Sequence, residues 1–423
     1  MTNRYKIKLW IVALPLVFAT PVSAQSNLSK KIEEANEQLW TKFIDKYGIV
    51  NDYVGERPTP FDCRLSRPNA FGWWTPIEDG AFFTGLYLVA ASKRATLTGQ
   101  AADKDKARIL AQGLLKCSSV SDVPGFISRG VSTDGRTHYP NGSNDQTIPW
   151  FFGLYSYLNT DIPSVQERET IKGELIEVVN AVRLNGWKFP SDGMFTGGFR
   201  DNLLDNRFLE VPCYLLLLRV MYEITLDDDW LQRYYIAMKE LPEGSTMTRA
   251  EICAEGISYD VKMWGDRRDY LWIYVMKQAA LVELGRLETD QSMKSKFIAG
   301  IHANKEFVQE FVKDFTQFDN DDNSVFGNSD WRACYPTWYP QLTLEEAIAI
   351  SKIGDPEKIG SRKRYERTLM TNPLAAASII ALAGDKVHCG LLEKVITHYD
   401  YSRLNLAEFF YAEFAYYAMT CNK

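Results

Sequence analysis

The residues from Ser143 to Leu158 read SNDQTIPWFFGLYSYL, a polar start with one carboxylate followed by an apolar, aromatic run. Ser143 and Gln146 have the spacing of a capping box, in which a hydroxyl and an amide satisfy exposed backbone N–H groups. Pro149 falls early enough that its missing N–H costs little helix stability. Because the rest of the run is apolar on nearly every side, it predicts a buried helix with Asp145 at its N-terminal end.

The same pattern recurs along the chain. Each copy is an apolar helix, a short polar turn and then a charged, amphipathic helix, which together predict an αα-hairpin with one buried and one outer member. The turns at 98, 160, 226 and 289 lie 62, 66 and 63 residues apart, as expected of an internal repeat. The longer distance to the next turn, at 384, predicts an insertion near 318–371.

The two ends of the chain complete the count of helices. Residues 28–47 read as an outer helix and residues 406–419 as a buried one. Six inner and six outer helices predict an all-α fold, an (α/α)6 barrel of two concentric rings, as a single domain over residues 25–423. The predicted inner helices begin near 79, 145, 208, 270, 373 and 406, and the outer ones near 28, 101, 164, 230, 290 and 386.

Residues 1–24 have the features of an export signal. A leader with three basic residues precedes the apolar run Leu9–Ala19, and Val22-Ser23-Ala24 supplies the small residues of a cleavage site. The apolar run is too short to span a bilayer, so we expect no membrane insertion. The sequence therefore predicts a periplasmic or secreted protein.

Charge and composition exclude several classes of function. The chain carries 48 Lys and Arg against 54 Asp and Glu, and loss of the leader's three basic residues changes the net charge from −6 to −9. An acidic protein of this kind has no electrostatic reason to bind nucleic acid. Only four His are present, so a histidine-based zinc site is not expected. The seven Cys leave the disulfide pairing open.

The long connections between hairpins all fall at one end of the predicted barrel. They carry an unusual number of Trp together with many Asp, whereas solvent-facing loops rarely hold so many indoles. Indole rings stack on the C–H faces of sugars, and carboxylates accept hydrogen bonds from their hydroxyls. We therefore expect an oligosaccharide to bind at this end of the barrel. The Trp residues of these connections are Trp73, Trp74, Trp187, Trp264, Trp331 and Trp338.

A family resemblance supports this expectation. Residues 74–88 read WTPIEDGAFFTGLYL and are followed by a Thr98-Gly99 turn. This stretch resembles the first hairpin of the six-hairpin glycosidases, and is most similar to the unsaturated glucuronyl and unsaturated rhamnogalacturonyl hydrolases. The resemblance implies an (α/α)6 barrel and a hydrolase that needs no cofactor.

In that family, two Asp at neighbouring helix starts hydrate the double bond that a polysaccharide lyase leaves in its product. The resemblance places Asp145 at the second hairpin and either Asp201 or Asp205 at the third, with Asp79 as a further candidate at the first. The chain has Asn144-Asp145 where the family has His-Asp. Alternatively, Asp79 and Asp145 serve only the helix dipole, and Asp201 and Asp205 only form ion pairs with nearby Arg.

Further residues are candidates for substrate binding. Arg129, Arg200 and Arg332 could each clamp a uronate carboxylate, because the planar guanidinium matches it. His138 and Trp264 could contact the sugar, but a loop histidine with satisfied partners and a helix-capping Trp are equally good interpretations.

Two further questions stay open at this stage. Asp319, Asp321, Asn323 and Asp330 have EF-hand spacing, but the loop lacks its Gly and its bidentate Glu, so we expect no metal. Beside hydration of an unsaturated uronate, the chemistry could be ordinary inverting hydrolysis. A polysaccharide lyase that uses His138 and Tyr139 is also compatible with the sequence, as is a non-catalytic glycan-binding barrel.

Overall fold

The structure, a computed structural model, describes residues 26–67, 75–266, 270–326, 339–351, 361–384 and 386–419. This part of the chain is 66% helix and 3% strand, which confirms the prediction of a mostly helical protein. The predicted export signal, residues 1–24, lies outside the described residues.

The helices and strands follow one another as pairs of helices separated by longer connections. In chain order they are α1 (Asn27–Lys42), α2 (Pro60–Arg64), α3 (Gly80–Thr98), α4 (Ala101–Ser118), α5 (Asn144–Leu158), α6 (Val165–Leu184), β1 (Lys188–Pro190), β2 (Phe199–Asn202), α7 (Val211–Thr225), α8 (Asp228–Lys239), α9 (Arg249–Glu255), α10 (Ile257–Trp264), α11 (Leu271–Leu287), α12 (Gln291–Val312), α13 (Leu344–Ser351), α14 (Ser361–Glu366), α15 (Asn372–Leu382), α16 (Cys389–His398) and α17 (Tyr411–Ala418).

All twelve predicted helices are present, with ends that differ by a few residues from the sequence-based bounds. We call α3, α5, α7, α11, α15 and α17 the inner helices, since most of their residues are buried. Their amphipathic partners α1, α4, α6, α8, α12 and α16 are the outer helices. The sequence did not predict the short helices α2, α9, α10, α13 and α14 or the β1–β2 hairpin, all of which lie in the long connections.

The first two inner helices, α3 and α5, pack against each other. Two glycines allow this approach: a Cβ on Gly85 would lie 2.1 Å from the carbonyl oxygen of Pro149, and one on Gly153 would lie 2.4 Å from that of Gly85. Real Cβ atoms do not approach backbone so closely, so glycine is required at both positions. The N-terminal ends of α3 and α5 are thereby held side by side.

The other inner helices are also neighbours. Contacts join α7 to α11, α11 to α15, α15 to α17 and α17 back to α3, while each outer helix packs on the inner helix of its own hairpin or on the next one. A π-helical turn, Arg367–Thr371, leads directly into α15. Such turns are rare and often occur at functional sites, because the extra residue redirects the side chains of the turn.

Two further findings bear on the environment of the protein. Within the described ranges, no helix combines the length and the hydropathy needed to cross a membrane. Cys63, Cys117, Cys213 and Cys253 are buried free thiols, whereas Cys389 is disulfide-bonded.

Candidate functional site

Asp79 precedes the first residue of α3 but does not cap that helix with its side chain. Its backbone N–H donates to both carboxylate oxygens of Asp52, over 2.9 and 3.1 Å. Its own Oδ1 accepts a hydrogen bond of 2.9 Å from the side-chain amide of Gln146 on α5. Among the described residues, Oδ2 of Asp79 has no hydrogen-bond partner. This buried carboxylate is therefore held in place by Gln146 and does not serve as a helix cap.

Arg129 bridges the starts of the same two helices from inside the protein. One guanidinium nitrogen lies 3.5 Å from Asp79 Oδ1 and donates to the carbonyl oxygen of Glu78, while another donates to the hydroxyl of Ser143. Its Nε donates to the carbonyl oxygen of Asn141 over 3.2 Å. Arg129 is buried, so these contacts make it part of the framework that holds the site.

The environment of Asp79 disfavours its charged form. Burial raises the pKa of the Asp79 carboxyl, Arg129 opposes that shift, and the nearby charge of Asp145 raises the pKa further. A carboxyl whose protonated form is favoured in this way can donate a proton or a hydrogen bond.

The start of α5 differs from the predicted capping box. Ser143 occupies the N-cap position, but its side chain makes no capping hydrogen bond and instead accepts from Arg129. The side chain of Gln146 reaches across to α3, where its oxygen accepts the N–H of Phe82 over 3.2 Å and its amide donates to Asp79. The capping-box prediction was wrong because Ser143 is bonded to Arg129 of the preceding connection and Gln146 to the start of the neighbouring helix α3.

Glu210, just before α7, connects the second and third inner helices. Its two oxygens accept hydrogen bonds of 2.9 and 2.8 Å from the side-chain amide of Asn144. The Oδ1 atom of Asn144 in turn accepts the backbone N–H of Asp145 over 2.6 Å. Burial raises the pKa of Glu210 to about 8, with Lys277 opposing and Asp201 adding to the shift.

Asp145 is partly exposed to solvent, unlike the buried Asp79 and Glu210. About one third of its side chain, 32%, is exposed, and its Oδ1 lies 3.9 Å from the ammonium nitrogen of the buried Lys277 on α11. Asp145 lies in the first turn of α5, most of whose residues are buried, as the sequence predicted.

The β1–β2 hairpin brings Asp201 to the same place. Asp201 has a left-handed φ of 55°, and the backbone N–H of Asn144 donates to its carboxylate. Its side chain is 31% exposed and lies 3.6 Å from Nε of Arg200. Burial raises the pKa of Asp201, Arg200 opposes the shift, and the charge of Asp145 adds to it. We call Asp79, Asp145, Asp201 and Glu210 the carboxylate cluster.

Asp205, the alternative to Asp201, lies elsewhere in its loop. It is exposed, and its backbone N–H donates to the carbonyl oxygen of Asn202 in a turn after β2. None of the interactions described for Asp79, Asp145 or Glu210 involves it. The structure therefore brings together Asp145 and Asp201, and it places Asp205 on the surface of the turn.

A second group of charges adjoins Asp79 on its other side. Arg367, in the π-helical turn, lies 2.5 Å from Glu408, and its guanidinium lies over the ring of Trp272 at 4.9 Å. Burial raises the pKa of Glu408, and Arg367 opposes that shift. Burial also lowers the pKa of Lys363, to about 8. Residues at the starts of α11, α15 and α17 thus lie at the same end of the fold as the starts of α3 and α5.

The predicted binding residues have mixed surroundings. His138 lies 2.6 Å from Asp192 and 2.9 Å from the carbonyl oxygen of Arg136, so both ring nitrogens have partners. Trp187 is buried in the core against Tyr214 and Trp230. Trp264 is half-buried beneath the guanidinium of Arg207, at 5.2 Å. Trp73, Trp74, Trp331 and Arg332 lie outside the described residues.

His138 and Tyr139, the candidate pair for lyase chemistry, both have partners within the protein. Tyr139 is buried, and its hydroxyl donates to the carbonyl oxygen of Arg67 over 3.3 Å. Burial raises the pKa of Tyr139 well above its usual value. Together with the Asp192 contact of His138, this arrangement does not favour the pair as acid and base.

Where it is described, the EF-hand-like loop is bound by the guanidinium of Arg403, from a distant part of the chain. Asp321 lies 2.8 Å from Arg403, and Asn323 accepts a hydrogen bond from the same guanidinium over 3.2 Å. Asp330 lies outside the described residues. Across the described ranges, no group of three or more His, Cys, Asp and Glu is arranged to hold a metal ion.

A cavity of about 1060 Å³ lies at the opposite end of the inner helices, lined in part by Val89, Phe152 and Phe414. A pocket is a good candidate site when it also contains convergent polar groups with shifted pKa values. The groups with shifted pKa values in this cavity include Tyr155 and Arg286, which are both hydrogen-bonded to Glu283. Several carboxyl groups with raised pKa values lie instead in the carboxylate cluster, at the N-terminal ends of the same helices. We therefore place the candidate site at the cluster.

Sequence reasoning missed Glu210, Lys277, Arg367 and Glu408. Glu210 and Glu408 lie in the first turn of the inner helices predicted to begin near 208 and 406, so the pattern that selected Asp145 could have found them. A lysine inside an otherwise apolar helix is a comparable signal for Lys277.

In comparisons with protein-family models, curated proteins and solved structures, no match was found.

Proposed function

We propose that this protein is an exported glycoside hydrolase that acts on oligosaccharides by carboxylate acid–base catalysis. The observation that carries the proposal is the pairing of Asp145 and Asp201. These two carboxylates are each about one third exposed, 32% and 31%, in a cluster whose other members, Asp79 and Glu210, are buried.

The two exposed carboxylates stand in unlike electrostatic environments. Asp145 lies near the ammonium of Lys277, whereas the carboxyl of Asp201 has a raised pKa caused by burial and by the charge of Asp145. Glycoside hydrolysis needs one carboxylic acid and one carboxylate across the scissile bond. In this proposal Asp201 gives the proton and Asp145 activates water, in either hydrolysis or hydration of an unsaturated uronate.

The fold that we propose is the (α/α)6 barrel. Its support is the order of contacts, in which α3 adjoins α5 and the series α7, α11, α15, α17 returns to α3. The hydrogen bonds from Asn144 to Glu210 join the remaining neighbours, α5 and α7. Six parallel inner helices would then present their N-terminal ends, and the carboxylate cluster, to one opening.

A uronate-containing substrate is the finer part of the proposal. Arg200 is partly exposed, 32%, and lies beside Asp201, so it can face a carboxylate of the substrate. The other described candidate, Arg129, already donates to three groups of the protein. For export, the support is the leader predicted at residues 1–24 and the disulfide at Cys389, a bond typical of oxidising compartments.

The test is a screen of polysaccharides before and after digestion by lyases. Loss of the near-UV absorbance of unsaturated uronates would identify a hydration reaction, and new reducing ends without that loss would identify ordinary hydrolysis. Either activity supports the proposal if it is found with the wild-type protein and is absent from the Asp145→Asn protein. A gain in absorbance, which marks a lyase, or binding without turnover would overturn it.

A further inference from the structure

Lys277 is a charged residue in an apolar place. It lies on α11, and its side chain is 1% exposed. Lysine is almost never fully buried without a partner, because an unpaired ammonium loses its hydration. Its surroundings should therefore contain the reason for its presence.

The groups that face Lys277 come from three other elements. They are Asp145 on α5, Glu210 and Cys213 at the start of α7, and Asp260 on α10. The Asp260 carboxylate accepts the N–H groups of residues 208 and 209 and a tyrosine hydroxyl, and Glu210 accepts two hydrogen bonds from Asn144.

Of these groups, Asp145 alone combines an ion pair with Lys277 and an exposed face. Asp260 is fully buried, and Glu210 is 6% exposed, whereas the Asp145 side chain is 32% exposed. Water or substrate can therefore reach Asp145 from one side while the ammonium acts from the other.

The distance between the two groups decides what the ammonium does. At 3.9 Å, Nζ of Lys277 and Oδ1 of Asp145 attract each other without a direct hydrogen bond. The ammonium therefore stabilises the negative charge and leaves the oxygen able to accept a proton. In a buried setting such attraction is weakly screened.

We propose that Lys277 is a positioning residue that stabilises the negative charge of Asp145, so that Asp145 serves as the base. The role of Asp145 as a base rests on the proposed function. The effect of the Lys277 charge on Asp145 can be measured without turnover. The acid is then the other accessible carboxyl, Asp201.

The test measures protonation of Asp145 directly. A water-soluble carbodiimide reacts with protonated carboxyl groups, and peptide mass spectrometry reports labelling of Asp145 as a function of pH. In Lys277→Met, labelling of Asp145 should extend to higher pH than in the wild type, because one nearby opposite charge is lost. Lys277→Arg keeps the charge and should keep the midpoint of labelling close to that of the wild type.

Lys106→Met is the matched control, because Lys106 is a half-buried lysine on α4 that donates to Asn36, far from the cluster. It should leave the labelling midpoint of Asp145 unchanged. If Lys277→Met does not fold, Lys277→Gln gives the same comparison. If neither Lys277→Met nor Lys277→Gln folds while Lys106→Met does, Lys277 has a structural role and the proposal is overturned.

Turnover separates this inference from the proposed function. With an active wild type, Lys277→Met should lower kcat on the acid side of its pH profile, shift that acid limb upward and change KM little. An unmoved midpoint with normal turnover overturns the inference. A wild type without turnover on any glycan, whose midpoint still moves in Lys277→Met, overturns the proposed function and leaves the charge effect standing.

Discussion

The side-chain amide of Gln146 donates a 2.9 Å hydrogen bond to Oδ1 of Asp79, and so ties the start of α5 to the start of α3. The oxygen of the same amide accepts the N–H of Phe82. Because Asp145 precedes Gln146 in the chain, this contact also fixes the position of Asp145 relative to Asp79. The contact is therefore both a structural link and a determinant of the site.

Replacing Gln146 should destabilise the fold. Gln146→Leu removes both hydrogen bonds and leaves the N–H of Phe82 and one Asp79 oxygen without these partners, at a cost of about 1–3 kcal/mol. Urea unfolding should show a lower midpoint with an unchanged slope. Gln166→Leu, at an exposed position on α6, is the control and should stay close to the wild type. Equal stability of the two variants would contradict this prediction.

Asp145→Asn should abolish most of the turnover and leave the fold intact. The amide keeps the shape of the side chain but cannot accept a proton, so kcat should fall by about 10²–10⁴. If Asp145 serves only the helix dipole, the loss is instead about 0.3–1 kcal/mol of stability with near-normal kcat. Measuring kcat and Tm of this one variant separates the two roles, and a folded variant with more than about a tenth of wild-type kcat would exclude Asp145 as a catalytic residue.

Asp201 and Asp205 should behave differently. Asp201→Asn removes the proposed acid beside Asp145, so kcat should fall by about 10²–10⁴. Asp205→Asn changes an exposed turn residue and should retain nearly full activity, which makes it the matched control. The reverse order of effects would transfer the acid role to Asp205.

Glu210 should make the stability of the protein depend on pH. Its pKa is raised from an ordinary 4.5 to about 8, so between these values the folded state holds a proton that the unfolded state releases. This contribution is fully present below about pH 4.5 and is lost as the pH rises to about 8. Beyond that pH, the buried charge destabilises the fold.

The measurement is the difference in Tm between Glu210→Gln and the wild type at pH 5 and at pH 8.5. Since Gln cannot ionise, the Tm of Glu210→Gln should fall less far below that of the wild type at pH 8.5 than at pH 5, or even exceed it. Glu243→Gln, at an exposed loop position, should show no such change with pH. A difference that stays constant would show that Glu210 does not titrate in this range.

Chelation should leave the rate unchanged. Asp321 and Asn323 of the EF-hand-like loop contact the guanidinium of Arg403, whose positive charge opposes a cation at that position. Turnover should therefore be the same with and without EDTA. Loss of activity that calcium restores would show that the 319–330 loop binds a metal after all.

The order of the helices could be predicted from the sequence because burial imposes a local pattern. An apolar run such as 145–158, followed by a polar turn and a charged run, specifies a buried and an outer helix whatever their neighbours are. The same locality placed Asp79 and Asp145 at helix starts. The long connections have no such period, so α9, α10 and the β1–β2 hairpin were missed.

The partners of these carboxylates were decided by the tertiary structure. Both Asp201 and Asp205 were candidates by spacing, but the register of the hairpin brings only Asp201 to the N–H of Asn144. Likewise, the approach of α11 to α5 brings Lys277 to 3.9 Å from Asp145 across more than a hundred residues of chain. Hydrophobic periodicity constrains which side of a helix is buried, whereas contacts between distant residues depend on how the helices and loops pack together, and that packing is not a local property of the sequence.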